Sequence, residues 1–574
     1  MTQSGPQSVV GTRQNIRMEE EWPLRLPAPT AISGNTITFA AAGLSNMGIG
    51  TDMLKGQTLF VLEKTGGGSP VAGMRLKIAG NTTNVITLEQ HIEGTYKKSD
   101  IPTSVFGDWA RCGFTTYGII PGELSQATVD ANYGDPSCVL MWGVIDEADL
   151  PEAVKDLTEQ YAHGSRNMPG RHQVVYNRDD HPLSYSTSVI DGRHWQSFFN
   201  DSYEVPSKFD TENQSLSLDI YPGDNQVTVA AAGTFTAGDY IMVGDDSGYS
   251  IGTDWASGST VQDQEIRKIT DVTGTVLTVD RPFRRFHDAS SVDQNVREVH
   301  ADCYGVTGTA YDSDDQFIYH HMEVGNSIRP TTFTHMVVKK GEHDNVTVQD
   351  WLLAYRGCQW SSLSLKSTTS QELMADWSGG CVTADLDPVD KDGASITAPT
   401  LDDEAFYDIT GAPQAPVHWS QSIVSVNVNG AGYVEIPTVE DISFTITKVF
   451  DARYSHSYNT YGLPSGRKPQ HYIGRVNYDL SFVVPLHNKV WSQALRDMDY
   501  VDFKTVYTVP IGTETGTGNT VSSTWTIIAE DQRIKEAGLK LPSEAVEAQT
   551  ILGPPKVVKI IIKDKTPYYP LAFR

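Results

Sequence analysis

Long hydrophobic runs are missing from this 574-residue chain. No stretch of about 18 apolar residues exists, so no membrane-spanning helix is expected. Basic residues are scarce. Lys and Arg number 44 against 71 Asp and Glu, a formal charge of −27. That balance argues against wrapping nucleic acid by charge neutralisation, which needs basic clusters. It suits a protein kept soluble at high salt, or a surface past which a polyanion must slide. The cysteines are few: Cys112, Cys138, Cys303, Cys358 and Cys381, an odd count with no CxxC. This excludes a zinc ribbon and a disulfide-stapled mini-domain, and leaves buried free thiols as the expectation. Walker A, GxGxxG and HExxH strings are absent, and no enzyme and no cofactor are expected. The start, MTQSGPQSVVGTRQ, carries no apolar core of signal-peptide length, which argues against Sec-type secretion.

Short alternating or β-branched runs dominate what is present. Thr36-Ile37-Thr38-Phe39, Val85-Ile86-Thr87-Leu88, Ser422-Ile423-Val424-Ser425-Val426-Asn427-Val428 and Lys556-Val557-Val558-Lys559-Ile560-Ile561-Ile562 are typical, punctuated by Gly, Asn, Asp and Pro. Helical periodicity is rare. Residues 149–157 carry Pro151 near a start and apolar residues at 150, 153, 154 and 157, which predicts a helix. Residues 194–200 and 490–498 have room for two turns each. The class is mainly β with a few short helices.

Internal repeats carry the most information. Asn35-Thr36-Ile37-Thr38-Phe39-Ala40-Ala41-Ala42-Gly43 recurs as Asn225-Gln226-Val227-Thr228-Val229-Ala230-Ala231-Ala232-Gly233. Lys77-Ile78 with Val85-Ile86-Thr87-Leu88 recurs as Lys268-Ile269 with Val276-Leu277-Thr278-Val279. These blocks predict two copies of one small β-module. A second repeat runs from Leu183-Ser184-Tyr185 through Trp195 to Tyr203, and from Leu480-Ser481-Phe482 through Trp491 to Tyr500. It suggests one strand–helix unit used twice. The expected organisation is an N-terminal arm at 1–30, ordered only if something docks it. The first β-module follows at 31–98, the first part of a core at 99–205, the second module as an insertion at 206–298, and the rest of the core at 299–574.

Two segments carry a family likeness. One is Ser327-Ile328-Arg329-Pro330-Thr331-Thr332-Phe333-Thr334, running on to Gly357-Cys358-Gln359-Trp360-Ser361-Ser362-Leu363-Ser364-Leu365. The other is Ser443-Phe444-Thr445-Ile446-Thr447, followed by Gly474-Arg475-Val476. Together they resemble the tail tube proteins of long-tailed viruses of bacteria and archaea. The resemblance implies a tail-tube-type β-sandwich or barrel with short flanking helices. It implies a structural virion protein assembled in the host cytoplasm, forming homohexameric rings stacked into a channel for genome ejection. A ring of three would follow if the strand–helix unit is a full duplication. The implied partners are sister copies, the tape measure, tail terminator and baseplate proteins, and DNA passing without specific binding. A receptor-binding or baseplate protein, or an extracellular β-sandwich carbohydrate-active enzyme, is the alternative.

Two sets of side chains stand out as candidates. The loop at 450–472 is rich in Tyr, Arg and His, residue types enriched at interfaces, so Tyr454, Tyr458, Tyr461, Arg467 and Tyr472 are expected to contact a neighbouring subunit. Asp385, Asp387, Asp390 and Asp392 lie near Gly393 without EF-hand spacing or a final Glu. They read as a solvated acidic turn, with a loosely held Ca²⁺ or Mg²⁺ as the functional reading. His320 and His321 are neighbours whose side chains would leave a strand on opposite faces, unsuited to sharing a metal.

Overall fold

The computed structural model describes most of residues 13–45, 58–88, 112–115, 140–161, 171–220, 224–245, 263–323, 332–386, 416–453, 470–485, 496–540, 547–552 and 555–565, with short gaps inside them. The fold is mainly β, as expected, and built from antiparallel pairs. Helical turns are short, such as Ala301–Cys303 and Trp419–Gln421. The predicted helix at 149–157 is instead two strands, Val144–Asp149 and Val154–Tyr161, both paired with Arg171–Ser188. A long neighbouring strand supplies the backbone partners and overrides the local period, with bulges at Asp156/Leu157 and Gln160/Tyr161 absorbing the mismatch. Of the turns predicted at 194–200, the described residues show one, in which the Phe198 and Phe199 N–H groups donate to the Trp195 carbonyl. Residues 490–495 lie outside the described residues.

A sandwich forms the main body. Its first sheet runs Val144–Asp149, Arg171–Ser188, Met374–Cys381, the second half of Val346–Thr368, Asp441–Arg453, Gln470–Pro485 and Glu547–Leu552. Its second runs Tyr433–Glu435, Ser422–Val428, Tyr500–Thr513, Thr520–Lys540, Val557–Asp564, Ile318–Glu323 and Asp201–Pro206. Thr520–Lys540 joins them: its first half pairs within the second sheet, and its second half pairs with Glu547–Leu552 of the first. Period-two alternation fills the space between. Leu363, Leu365, Phe444, Ile446, Leu480 and Phe482 point inward from one sheet, and Val501, Phe503, Tyr507, Trp525, Ile560 and Ile562 from the other. Each such burial is worth about 1.5–3 kcal/mol. Trp195, from the bend at 195–199, wedges between Trp377 at 6.5 Å and Trp525 at 5.1 Å, edge to face.

The two β-modules match down to register. Ile37 pairs with Ile86 as Val227 pairs with Leu277, and Thr58 pairs with Lys77 as Tyr240 pairs with Lys268. The bulge at Ile78/Gly80 recurs at Ile269/Asp271. The first module's sheet also takes in Leu24–Arg25 and Cys112–Thr115, beyond the expected 31–98. The interiors differ. In the second module Arg267 is buried with its Nη2 2.6 Å from Glu265 Oε1, and Glu265 Oε2 lies 3.2 Å from His287 Nε2. By the repeat's spacing the first module has Met74 and Leu76 at those two places.

The cysteine expectation needs correction. Cys358 and Cys381 stand on adjacent strands and form a disulfide, while Cys303 is free and buried. Their pairing depends on the meeting of Val346–Thr368 with Met374–Cys381, which no local motif announces.

Candidate functional site

The two segments that carry the family likeness are neighbours. Ser362 pairs with Thr447, Leu363 with Ile446, Ser364 with Thr445 and Leu365 with Phe444. Alternation sends Leu363, Leu365, Phe444 and Ile446 into the core and leaves the hydroxyl residues on the outside. The same parity holds across the sheet. Ser184 and Ser186, Asp376 and Ser378, and Asn477, Asp479 and Ser481 continue the outer face on the flanking strands. Five strands thus present a carpet of short polar side chains, with the exposed Arg475 next along from Asn477 at its margin.

The carpet is laced sideways. Ser186 Oγ donates to Asp376 Oδ1 at 2.7 Å, Ser364 Oγ lies 2.8 Å from Thr445 Oγ1, and Ser361 Oγ donates to the Ser378 carbonyl at 3.2 Å. Lys366 on this face pairs with Asp376 at 2.5 Å. Hydroxyls satisfied by their neighbours offer little to a passing molecule. The outer face of the second sheet is mixed: Tyr319, His321, Ile423, Val506 and Ile561 share it with Asn427, Asp502, Lys504 and Lys559.

Parity also places a lysine inside. Lys448 follows Phe444 and Ile446 on the inward side and is only 2% exposed. Its ammonium donates to the Phe198 carbonyl and sits 4.2 Å from the Phe198 ring centre. Burial pushes its pKa down to about 7.

A second buried polar group was not visible in sequence. His320 Nδ1 lies 2.9 Å from Glu204 Oε1, and its Nε2 3.0 Å from Asp564 Oδ1. Burial alone would lower the imidazole's pKa, but Asp564 and Glu204 together overcome it and raise the value to about 9. His321 points the other way, as its place in a strand requires, and stacks on Tyr203 at 4.7 Å. Burial, with His320 nearby, holds its pKa down at about 3. These partners lie 116 and 244 residues from His320, so no local spacing could have found them.

Of the expected interface residues, Tyr472 is on Gln470–Pro485 opposite Asp451, while Tyr454, Tyr458, Tyr461 and Arg467 lie outside the described residues. Of the acidic candidates, Asp385 belongs to the strand Thr383–Leu386, opposite Ala354, rather than to a turn. Asp387, Asp390 and Asp392 lie outside the described residues. Gly248-Tyr249-Ser250-Ile251-Gly252, also outside them, has the GxSxG form, a string the sequence was expected to lack. It follows a strand of an antiparallel module, not the α/β sheet that positions a nucleophile elbow.

No family model matches the chain, and no curated protein does. Among solved structures, one described as "Crystal structure of Hcp protein" is similar at 13% identity and a TM-score of 0.14, over 24% of this chain and 90% of that one.

Proposed function

We propose that this protein is a structural subunit of a virus tail tube, assembling through its sheet rims into stacked rings, with the hydroxyl carpet turned towards the channel. The carpet carries this reading. A face that binds would keep exposed donors, arginines or stacking rings. Here Ser186, Ser364 and Thr445 are tied to neighbouring side chains and Lys366 is paired with Asp376, which leaves Arg475 at the margin as the exposed guanidinium. Such a wall lets a polyanion slide, and the resemblance of the Ser/Leu and Ser-Phe-Thr-Ile-Thr strands to tail tube proteins supports the same assignment. The protein acts by shape and surface, without catalysis or cofactor.

Negative-stain images of the purified full chain test this. Rings or tubes are expected. The double variant Ser362→Arg, Thr447→Arg should still assemble, yet retain DNA that wild-type assemblies release in a low-salt filter assay. A monodisperse monomer over a wide concentration range refutes the proposal.

A further inference from the structure

Asn429-Gly430 is the only Asn-Gly step in the sequence. Such a step is chemically labile. Glycine has no side chain to keep its own nitrogen from attacking the asparagine side chain, and the attack expels ammonia. The fold puts this step in the turn between Ser422–Val428 and Tyr433–Glu435. Asn429 has a φ of 52° and Gly430 of 73°, and the Ala431 N–H donates to the Val428 carbonyl at 3.1 Å. Two successive positive φ values make the hairpin turn for which Asn-Gly is the preferred pair. The pair is there for its conformation, and the chemical liability comes with it.

The asparagine itself fastens this turn to the neighbouring strand. The Asn429 N–H donates to the Tyr500 carbonyl at 2.9 Å, and the Tyr500 N–H donates back to Asn429 Oδ1 at 3.1 Å. Asn429 Nδ2 donates to Asp499 Oδ1 at 2.6 Å. Both ends of the carboxamide are thus engaged where Tyr500–Thr513 begins. Asn427 works alongside: its Nδ2 donates to Asp502 Oδ2 at 3.0 Å, and its Oδ1 accepts from the Gly432 N–H at 2.9 Å. Cyclisation needs Asn429 Cγ to swing onto the Gly430 nitrogen. That swing is blocked while Tyr500 and Asp499 hold Oδ1 and Nδ2.

We propose that Asn429 is a site of self-modification gated by this clasp, reacting only in molecules whose hairpin has opened. There the Gly430 nitrogen attacks Cγ. The N–Cγ bond forms, the Cγ–Nδ2 bond breaks, and the Gly430 proton leaves with Nδ2 as ammonia. Water then opens the cyclic imide at either carbonyl, giving aspartate or isoaspartate. Aspartate puts a carboxylate oxygen where Nδ2 donated, against the Asp499 carboxylate, and like charges so close repel. Isoaspartate adds a methylene to the main chain within a turn whose dihedrals are closely set. Either product weakens the clasp, and neither reverts to asparagine, so a hairpin that has opened and reacted closes less firmly. The inference stands apart from the tube-subunit reading.

Mass spectrometry of the full chain tests it. The protein is held at mildly alkaline pH, folded or in guanidinium chloride, and the peptide containing residue 429 is followed for loss of ammonia and then for a gain of one mass unit. The folded chain should react at least tenfold more slowly than the unfolded one. Asp499→Ala, at a partly exposed position, should speed the folded reaction severalfold and leave the unfolded rate unchanged. Asn429→Asp should lower the urea midpoint at neutral pH, and adding Asp499→Asn should restore it. Equal rates in the folded and unfolded chain overturn the gate, as does an Asp499→Ala rate equal to that of the wild type. An Asn429→Asp chain as stable as the wild type overturns the loosening. Residue 429 left unreacted in the unfolded chain overturns the site itself.

Discussion

Glu204 and His320 stand directly opposite each other on neighbouring strands, carboxylate to imidazole at 2.9 Å, both sealed from solvent. With Asp564 on the far side, the imidazolium ties three strands, and Glu204 also carries the backbone contact to the second β-module. Because the folded pKa lies above the unfolded value of 6.5, the stabilisation is complete below pH 6.5 and is lost as pH rises through about 9. His320→Gln should cost about 3–5 kcal/mol at pH 6, since it strands buried carboxylates. Urea titrations should show that deficit shrinking by pH 10. A deficit independent of pH contradicts the assignment.

Lys448 titrates the other way. Its folded pKa of about 7 lies below the unfolded 10.5, so the wild type gains stability as pH rises between those values. Lys448→Met should raise the melting temperature most at or below neutral pH. The gain should fade towards pH 10.5.

The alternation of Ser361 to Lys366 was legible in sequence because each strand there has one buried face, and period two then fixes every side chain. Leu363→Ala should cost about 2–5 kcal/mol, and Ser364→Ala, one residue on, no more than about 1 kcal/mol, by denaturant midpoint. The module repeat was legible for a related reason: turn residues and strand spacing recur together. Lys448 gave no sign of burial in sequence, because a charged residue at a buried parity position looks like any polar one. The helix at 149–157 failed because Arg171–Ser188 decides the outcome from outside the segment. The Cys358–Cys381 bond and the Glu204–His320–Asp564 group depend on which strands meet, and neighbouring residues hold no record of that.

The two modules form a natural experiment. Arg267→Leu alone leaves Glu265 without its guanidinium partner and should destabilise the protein by about 3–5 kcal/mol. Adding Glu265→Met, so that both positions match Leu76 and Met74 of the first module, should recover part of that loss in thermal melts. A double variant less stable than Arg267→Leu would show that His287 depends on Glu265 more than Arg267 does.

Val346–Thr368 runs for 23 residues and serves two neighbourhoods, held at one end by Thr332–His343 and at the other by Met374–Cys381 and Asp441–Arg453. A tug along that strand loads its whole ladder of rungs in shear, so they must fail together rather than peel apart one by one. Among the described residues, this strand therefore resists a pull along its length more than a pull across it.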